Sequence, residues 1–106
     1  TSYNLSAGGP VIHPAMDALI VTPICPHSLS LKPTVVPSDQ SITVQTFAAP
    51  SDIMLTADGQ TVCSLKPGDR VEVMRAETPV RLINLKGLSF YELLRRKLNW
   101  GLDRRE

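Results

Sequence analysis

Short apolar runs set between prolines give way from Ser41 to alternating apolar and polar positions, and near the C-terminus the spacing becomes helical. Ala18-Leu19-Ile20-Val21 is a short apolar run closed by Pro23, and Thr34-Val35-Val36 is another closed by Pro37. Both read as short strands. From Ser41 the residues alternate, with Ile42, Val44 and Thr46 on one face and Thr43, Gln45 and Phe47 on the other. Two β-rich runs, Ile53 to Ala57 and Gln60 to Leu65, flank Asp58-Gly59. That dipeptide tolerates positive φ at both positions and predicts a tight hairpin. Pro67-Gly68-Asp69 predicts a further turn into an alternating strand, Arg70 to Met74, and one more strand is expected from Val80 to Leu85, closed by Gly87.

The helical segment begins at Ser89. Glu92 follows three residues later, so the pair can form a capping box in which each side chain satisfies a backbone N–H of the other. Phe90, Leu93, Leu94 and Leu98 then fall on one face, and Arg95, Arg96 and Lys97 suit the negative end of the helix dipole. Gly101 is expected as the left-handed residue past the end. At the other terminus, residues 1–9 allow one short helical turn before the Gly8-Gly9-Pro10 breaker. Six of the nine prolines lie between Pro10 and Pro37, which excludes a long helix there. The fold class is therefore mainly β, a layered β-sandwich domain with a C-terminal α-helix.

Composition narrows the function. The chain has 106 residues, with 11 Lys and Arg against 10 Asp and Glu, which allows one domain and excludes a polybasic nucleic-acid binder. No apolar run reaches the roughly 18 residues of a spanning helix, and no secretion signal opens the chain, so a soluble cytoplasmic domain is expected without membrane or nucleic-acid partners. Cys25 and Cys63 have no metal-ligand spacing and are expected as buried free thiols. His13 and His27 lie too far apart to form a local metal pair, and no metal site is expected. Nor does any cluster of Ser, His and Asp, or of Cys and His, suggest nucleophilic catalysis. From the residues alone, Thr1 to Ser6 is either a capped turn or the wall of a polar pocket. Asp58-Gly59-Gln60 is either a hairpin turn and nothing more or part of a binding site.

Several motifs together carry a resemblance. Thr1-Ser2-Tyr3-Asn4-Leu5-Ser6-Ala7-Gly8-Gly9-Pro10 with His13-Pro14, the run Thr22-Pro23-Ile24-Cys25-Pro26-His27-Ser28-Leu29-Ser30, then Asp58-Gly59-Gln60 and a closing helix ending in Trp100 resemble the ATP- or polyphosphate-dependent NAD kinases. The likeness runs through the whole chain in order. It implies that residues 1–106 are the C-terminal β domain of a two-domain kinase. The N-terminal α/β domain, with the Gly-Gly-Asp-Gly motif whose Asp acts as base, would lie upstream, and Thr1 would fall inside a motif that begins before it. It further implies phosphorylation of the adenosine 2′-hydroxyl of NAD to give NADP, with Mg²⁺ or another divalent cation held mainly by the nucleotide and the upstream half. Carried over residue by residue, Thr1, Ser2, Tyr3, Asn4, Leu5, Ser6 and Gln60 would contact NAD, with Asp58 beside the acceptor site. Ser2 stands where the family usually has Ala. Gly8-Gly9-Pro10 would let backbone segments pack closely, and His27 would be structural. No catalytic residue is expected in this chain, which would be inactive alone. Its expected partners are NAD, ATP or polyphosphate, its own N-terminal domain, and further copies in a homodimer or homotetramer. The alternative is a non-catalytic β-sandwich module that binds a ligand or a protein.

Overall fold

A computed structural model of the chain describes residues 2–47 and 51–101. It is mainly antiparallel β with a C-terminal helix, consistent with a β-sandwich-like domain. The order is α1 (Ser2–Ser6), β1 (Ala18–Val21), β2 (Thr34–Pro37), β3 (Ile42–Gln45), β4 (Ile53–Ala57), β5 (Gln60–Leu65), β6 (Arg70–Val73) and α2 (Phe90–Leu98). The strands form three antiparallel pairs, β1 with β2, β3 with β6 and β4 with β5. Pro37 is tolerated because it sits at the end of β2, opposite Ala18 at the start of β1.

The β4–β5 hairpin is nested inside the β3–β6 pair. Asp58 (φ 51°) and Gly59 (φ 77°) form the two-residue turn, and Ala57 faces Gln60 across its base. Between Leu55–Cys63 and Thr56–Thr61 the register shifts by one, leaving Val62 as a bulge. Thr46 ties the base of the arrangement together. Its N–H donates to the Asp69 carbonyl (2.9 Å), its hydroxyl donates to the Lys66 carbonyl (2.6 Å), and its own carbonyl accepts from Gly68 N–H (2.8 Å).

The α2 cap forms as its sequence requires. Ser89 Oγ accepts from the Glu92 N–H at 3.2 Å, and Glu92 Oε2 accepts from the Ser89 N–H at 2.8 Å. The Ser89 N–H above all, then the Ser89 side chain and the Arg96 and Arg95 charges, hold the Glu92 carboxyl below its ordinary pKa. Leu94, at 9% exposure, is the one buried hydrophobic residue among those described. His13 closes the near side of α2, its ring edge-on to Phe90 with centroids 4.8 Å apart.

Three expectations are corrected. Val80 to Leu85 is not a strand: no described segment lies alongside to complete its ladder, and Val80, Leu82, Ile83 and Leu85 are 85–91% exposed. Gly101 is left-handed (φ 72°) as expected, but the residue that ends α2 is a left-handed Asn99 (φ 53°, ψ 33°) two positions earlier, because the helix stops at Leu98. Cys25 and Cys63 are free but exposed, since Cys25 lies in an open loop and Cys63 on a two-stranded ribbon with no layer over it.

The chain is open. Its radius of gyration is 17.3 Å, against about 13 Å for a compact domain of this length. Its accessible surface is 9659 Å², against about 5,800 Å² for a self-contained domain of the same mass.

Candidate nucleotide site

The turn at residues 2–9 is closed by a Schellman motif. Gly8, at φ 81°, takes the left-handed position, its N–H donates to the Leu5 carbonyl (3.1 Å), and the Gly9 N–H donates to the Asn4 carbonyl (2.8 Å). This explains why the helix ends at Gly-Gly and why Pro10, which has no N–H to offer, can follow at once. The five-residue helix presents the Tyr3 ring to solvent at 72% exposure, with Ser2, Leu5 and Ser6 also exposed.

Asn4 turns inward instead. Its amide Nδ2 donates to the Pro10 carbonyl at 2.9 Å, and its Oδ1 accepts from the Thr22 hydroxyl at 2.5 Å. A Cβ added at Gly9 would stand 1.7 Å from Asn4 Oδ1 and 2.8 Å from Thr22 Oγ1. Close approach of these segments therefore requires glycine at position 9, as the Gly8-Gly9-Pro10 run suggests.

The structure brings together two motifs that lie more than fifty positions apart. The Tyr3 hydroxyl lies 3.4 Å from the position of a Cβ built on Gly59, at the tip of the β4–β5 hairpin. Tyr3 and the Asp58-Gly59 turn thus share one surface, and Gln60 begins the strand that leaves it. Asp58 and Gln60 are both exposed. Thr1 lies outside the described residues. His27 is exposed in the loop after β1 and makes no hydrogen bond among the described residues. Behind α1 an apolar groove of about 450 Å³ runs between Leu5, Ile12 and Leu19 on one side and Phe90 and Leu94 of α2 on the other.

The order of these motifs matches a known family over most of the chain. Residues 1–85 fit the ATP-NAD kinase C-terminal domain. The chain belongs to that family. It is 48% identical over 106 residues to an NAD kinase of Moorella thermoacetica, covering 100% of this chain and 34% of that protein. With an NAD kinase of Geotalea daltonii it shares 46% identity over 101 residues, 95% of this chain and 36% of the relative. The chain thus spans about a third of the length of these curated relatives.

The same motifs show what local reasoning misses in a member of this family. Thr22 opens the Thr-Pro run of its loop, yet nothing in that spacing reveals a partner 18 positions upstream. The approach of Tyr3 to Gly59 is also a tertiary fact, without a local signature. Among the described residues no three His, Cys, Asp or Glu side chains converge on a metal position.

Proposed function

We propose that this chain is the C-terminal, dinucleotide-binding part of an NAD kinase, and that the complete enzyme phosphorylates the adenosine 2′-hydroxyl of NAD to make NADP. The meeting of Tyr3 with the Asp58-Gly59 turn, in a chain of this family, is the observation that carries this reading. An exposed phenol ring offers a flat apolar face on which a planar heterocycle can stack. Hydroxyls of Thr1, Ser2 and Ser6 supply donors and acceptors for ribose or amide groups, and backbone at Leu5 and Asn4 completes that wall. Gln60, with both a donor and an acceptor on one side chain, contacts the dinucleotide from the hairpin. Asp58 lies beside the acceptor hydroxyl.

The upstream domain supplies the base that accepts the 2′-hydroxyl proton, and the phosphoryl donor is ATP or polyphosphate. Mg²⁺ or another divalent cation, which offsets charge on the transferring phosphoryl group, is carried by the nucleotide and that upstream domain. The enzyme works in the cytoplasm as a homodimer or homotetramer. No helix of the described residues is long and apolar enough to cross a membrane, and the open apolar faces of this chain suit burial against the enzyme's own N-terminal domain and further copies.

The test is direct. The complete enzyme is assayed for NADP formation from NAD with ATP and with polyphosphate, each with Mg²⁺, and the 106-residue chain is assayed in parallel. Turnover by the complete enzyme and none by the chain alone is the expected result. NADP made by the chain alone would overturn the division of labour. Absence of both NAD binding and turnover in the complete protein would instead favour a non-catalytic β module.

A further inference from the structure

A helix of one turn has no stability of its own, because nucleation costs more than a single turn of hydrogen bonds returns. The direction in which α1 presents its side chains must therefore be fixed from outside. Among the described residues, the only side-chain hydrogen bonds made by α1 are the two of Asn4. One reaches the Pro10 carbonyl, which the chain itself carries past the helix. The other comes from the Thr22 hydroxyl, just beyond the end of β1 and so attached to a different part of the fold. Gly9 leaves the room in which that bond forms.

We infer that Thr22 is a positioning residue for NAD: through Asn4 it locks α1 so that Tyr3 and Ser6 face the dinucleotide and the Tyr3 hydroxyl meets the hairpin tip. The inference rests on the NAD kinase reading above. It assigns Asn4 an indirect side-chain role, since both functions of its amide are engaged within the chain, and it adds a residue remote from the NAD-contacting segments. Thr22 itself acts through Asn4 and not on the substrate.

Four variants of the complete enzyme test it: Thr22→Val, Thr22→Ser, Asn4→Ala and the double variant Asn4→Ala with Thr22→Val. Steady-state rates are measured with NAD varied at saturating ATP and with ATP varied at saturating NAD. Losing one hydrogen bond is expected to raise the KM for NAD about 3- to 10-fold in Thr22→Val. The kcat should stay within about twofold and the KM for ATP should not move, because uniform binding of one substrate is what is lost. Thr22→Ser keeps the hydroxyl and should restore the KM for NAD. The double variant should be no worse than Asn4→Ala, since both remove the same contact. Should Thr22→Val fail to fold, Asn4→Ala removes that contact from its other end, together with the bond to the Pro10 carbonyl, and should raise the KM for NAD at least as much. An unchanged KM for NAD in the folded variants would overturn the inference. So would strictly additive effects, or a fall in kcat that merely tracks loss of folded protein. Failure of the unsubstituted enzyme to make NADP would overturn the underlying reading, and it shows before any substitution is made.

Discussion

Gly9→Ala would drive a methyl group into the Asn4 amide. The new Cβ would lie 1.7 Å from Asn4 Oδ1 and 2.5 Å from its Cγ, so the amide must leave its place. Leaving breaks two hydrogen bonds, Asn4 to the Pro10 carbonyl and Thr22 to Asn4. At about 0.5–1.5 kcal/mol each, their loss costs about 1–3 kcal/mol. Against this, an alanine restricts the unfolded chain and returns about 0.4–1 kcal/mol. No strain from left-handed backbone enters, because positive φ in this run is confined to Gly8. The net expectation is a destabilisation of about 1–2 kcal/mol, measured by urea unfolding of the complete protein. The discriminating arm is the Asn4→Ala background, where the two shortest clashes are gone and the next, with Thr22 Oγ1, is at 2.8 Å. There most of the cost should vanish. An equal cost in both backgrounds would refute the clamp, as would a Gly9→Ala protein as stable as its parent.

Other expectations are simpler to state. Tyr3→Ala should weaken NAD binding about tenfold or more, since stacking on an aromatic ring contributes about 1–3 kcal/mol per base. Tyr3→Phe, which keeps the ring, should lose much less, and equal losses by titration of NAD would show that the hydroxyl rather than the ring matters. Ser89→Ala should cost about 0.5–2 kcal/mol through loss of the α2 cap, seen as early fraying in amide exchange at Glu92 and Leu93. The Glu92 carboxyl is held below its ordinary value of 4.5, so the unfolded form binds more protons in that range. Its contribution is therefore full above pH 4.5 and lost as pH falls through the lowered folded value. Glu92→Gln should flatten that acid limb in far-UV circular dichroism, and an acid limb of unchanged shape would contradict the assignment.

What could be read from the residues was what the residues decide locally. The Ser89–Glu92 box, the Asp58-Gly59 turn and the arrest of α1 at Gly8-Gly9 each depend on side chains within three or four positions, and each formed as expected. The Val80 to Leu85 run is not a strand because an apolar, β-rich run describes a surface suited to pairing and not the presence of a partner. Its residues are apolar enough for a strand, as those of β3 are, but β3 has β6 beside it. The Val62 bulge has no glycine to announce it, and the two contacts that build the site, Asn4 with Thr22 and Tyr3 with Gly59, depend on how separate ribbons are laid together. Motif order across the whole chain marked α1 and the hairpin turn as candidates, but it could not say that Asn4 faces inward while Tyr3 faces out.

The surface of the chain carries a last prediction. Its accessible area exceeds that of a self-contained domain of 11.6 kDa by about 3,800 Å². A standard protein–protein interface takes about 800 Å² from each partner, so the excess is several such interfaces, comparable to a core left open. The exposed residues bear this out, since Val80, Leu82, Ile83 and Leu85 face outward with nothing polar interleaved but Arg81 and Asn84. Exposure also leaves the site chemically ordinary: in high dielectric, hydrogen bonds from Tyr3, Ser6 or Gln60 to a ligand compete with water on nearly equal terms. Covering these faces would both complete the packing and dry the site, so NAD affinity and compactness should rise together. Small-angle scattering from the isolated chain should then give a radius of gyration of 17.3 Å or more, together with weak NAD binding. A value near 13 Å, with NAD bound as tightly as by the complete enzyme, would refute the coupling of cover to affinity.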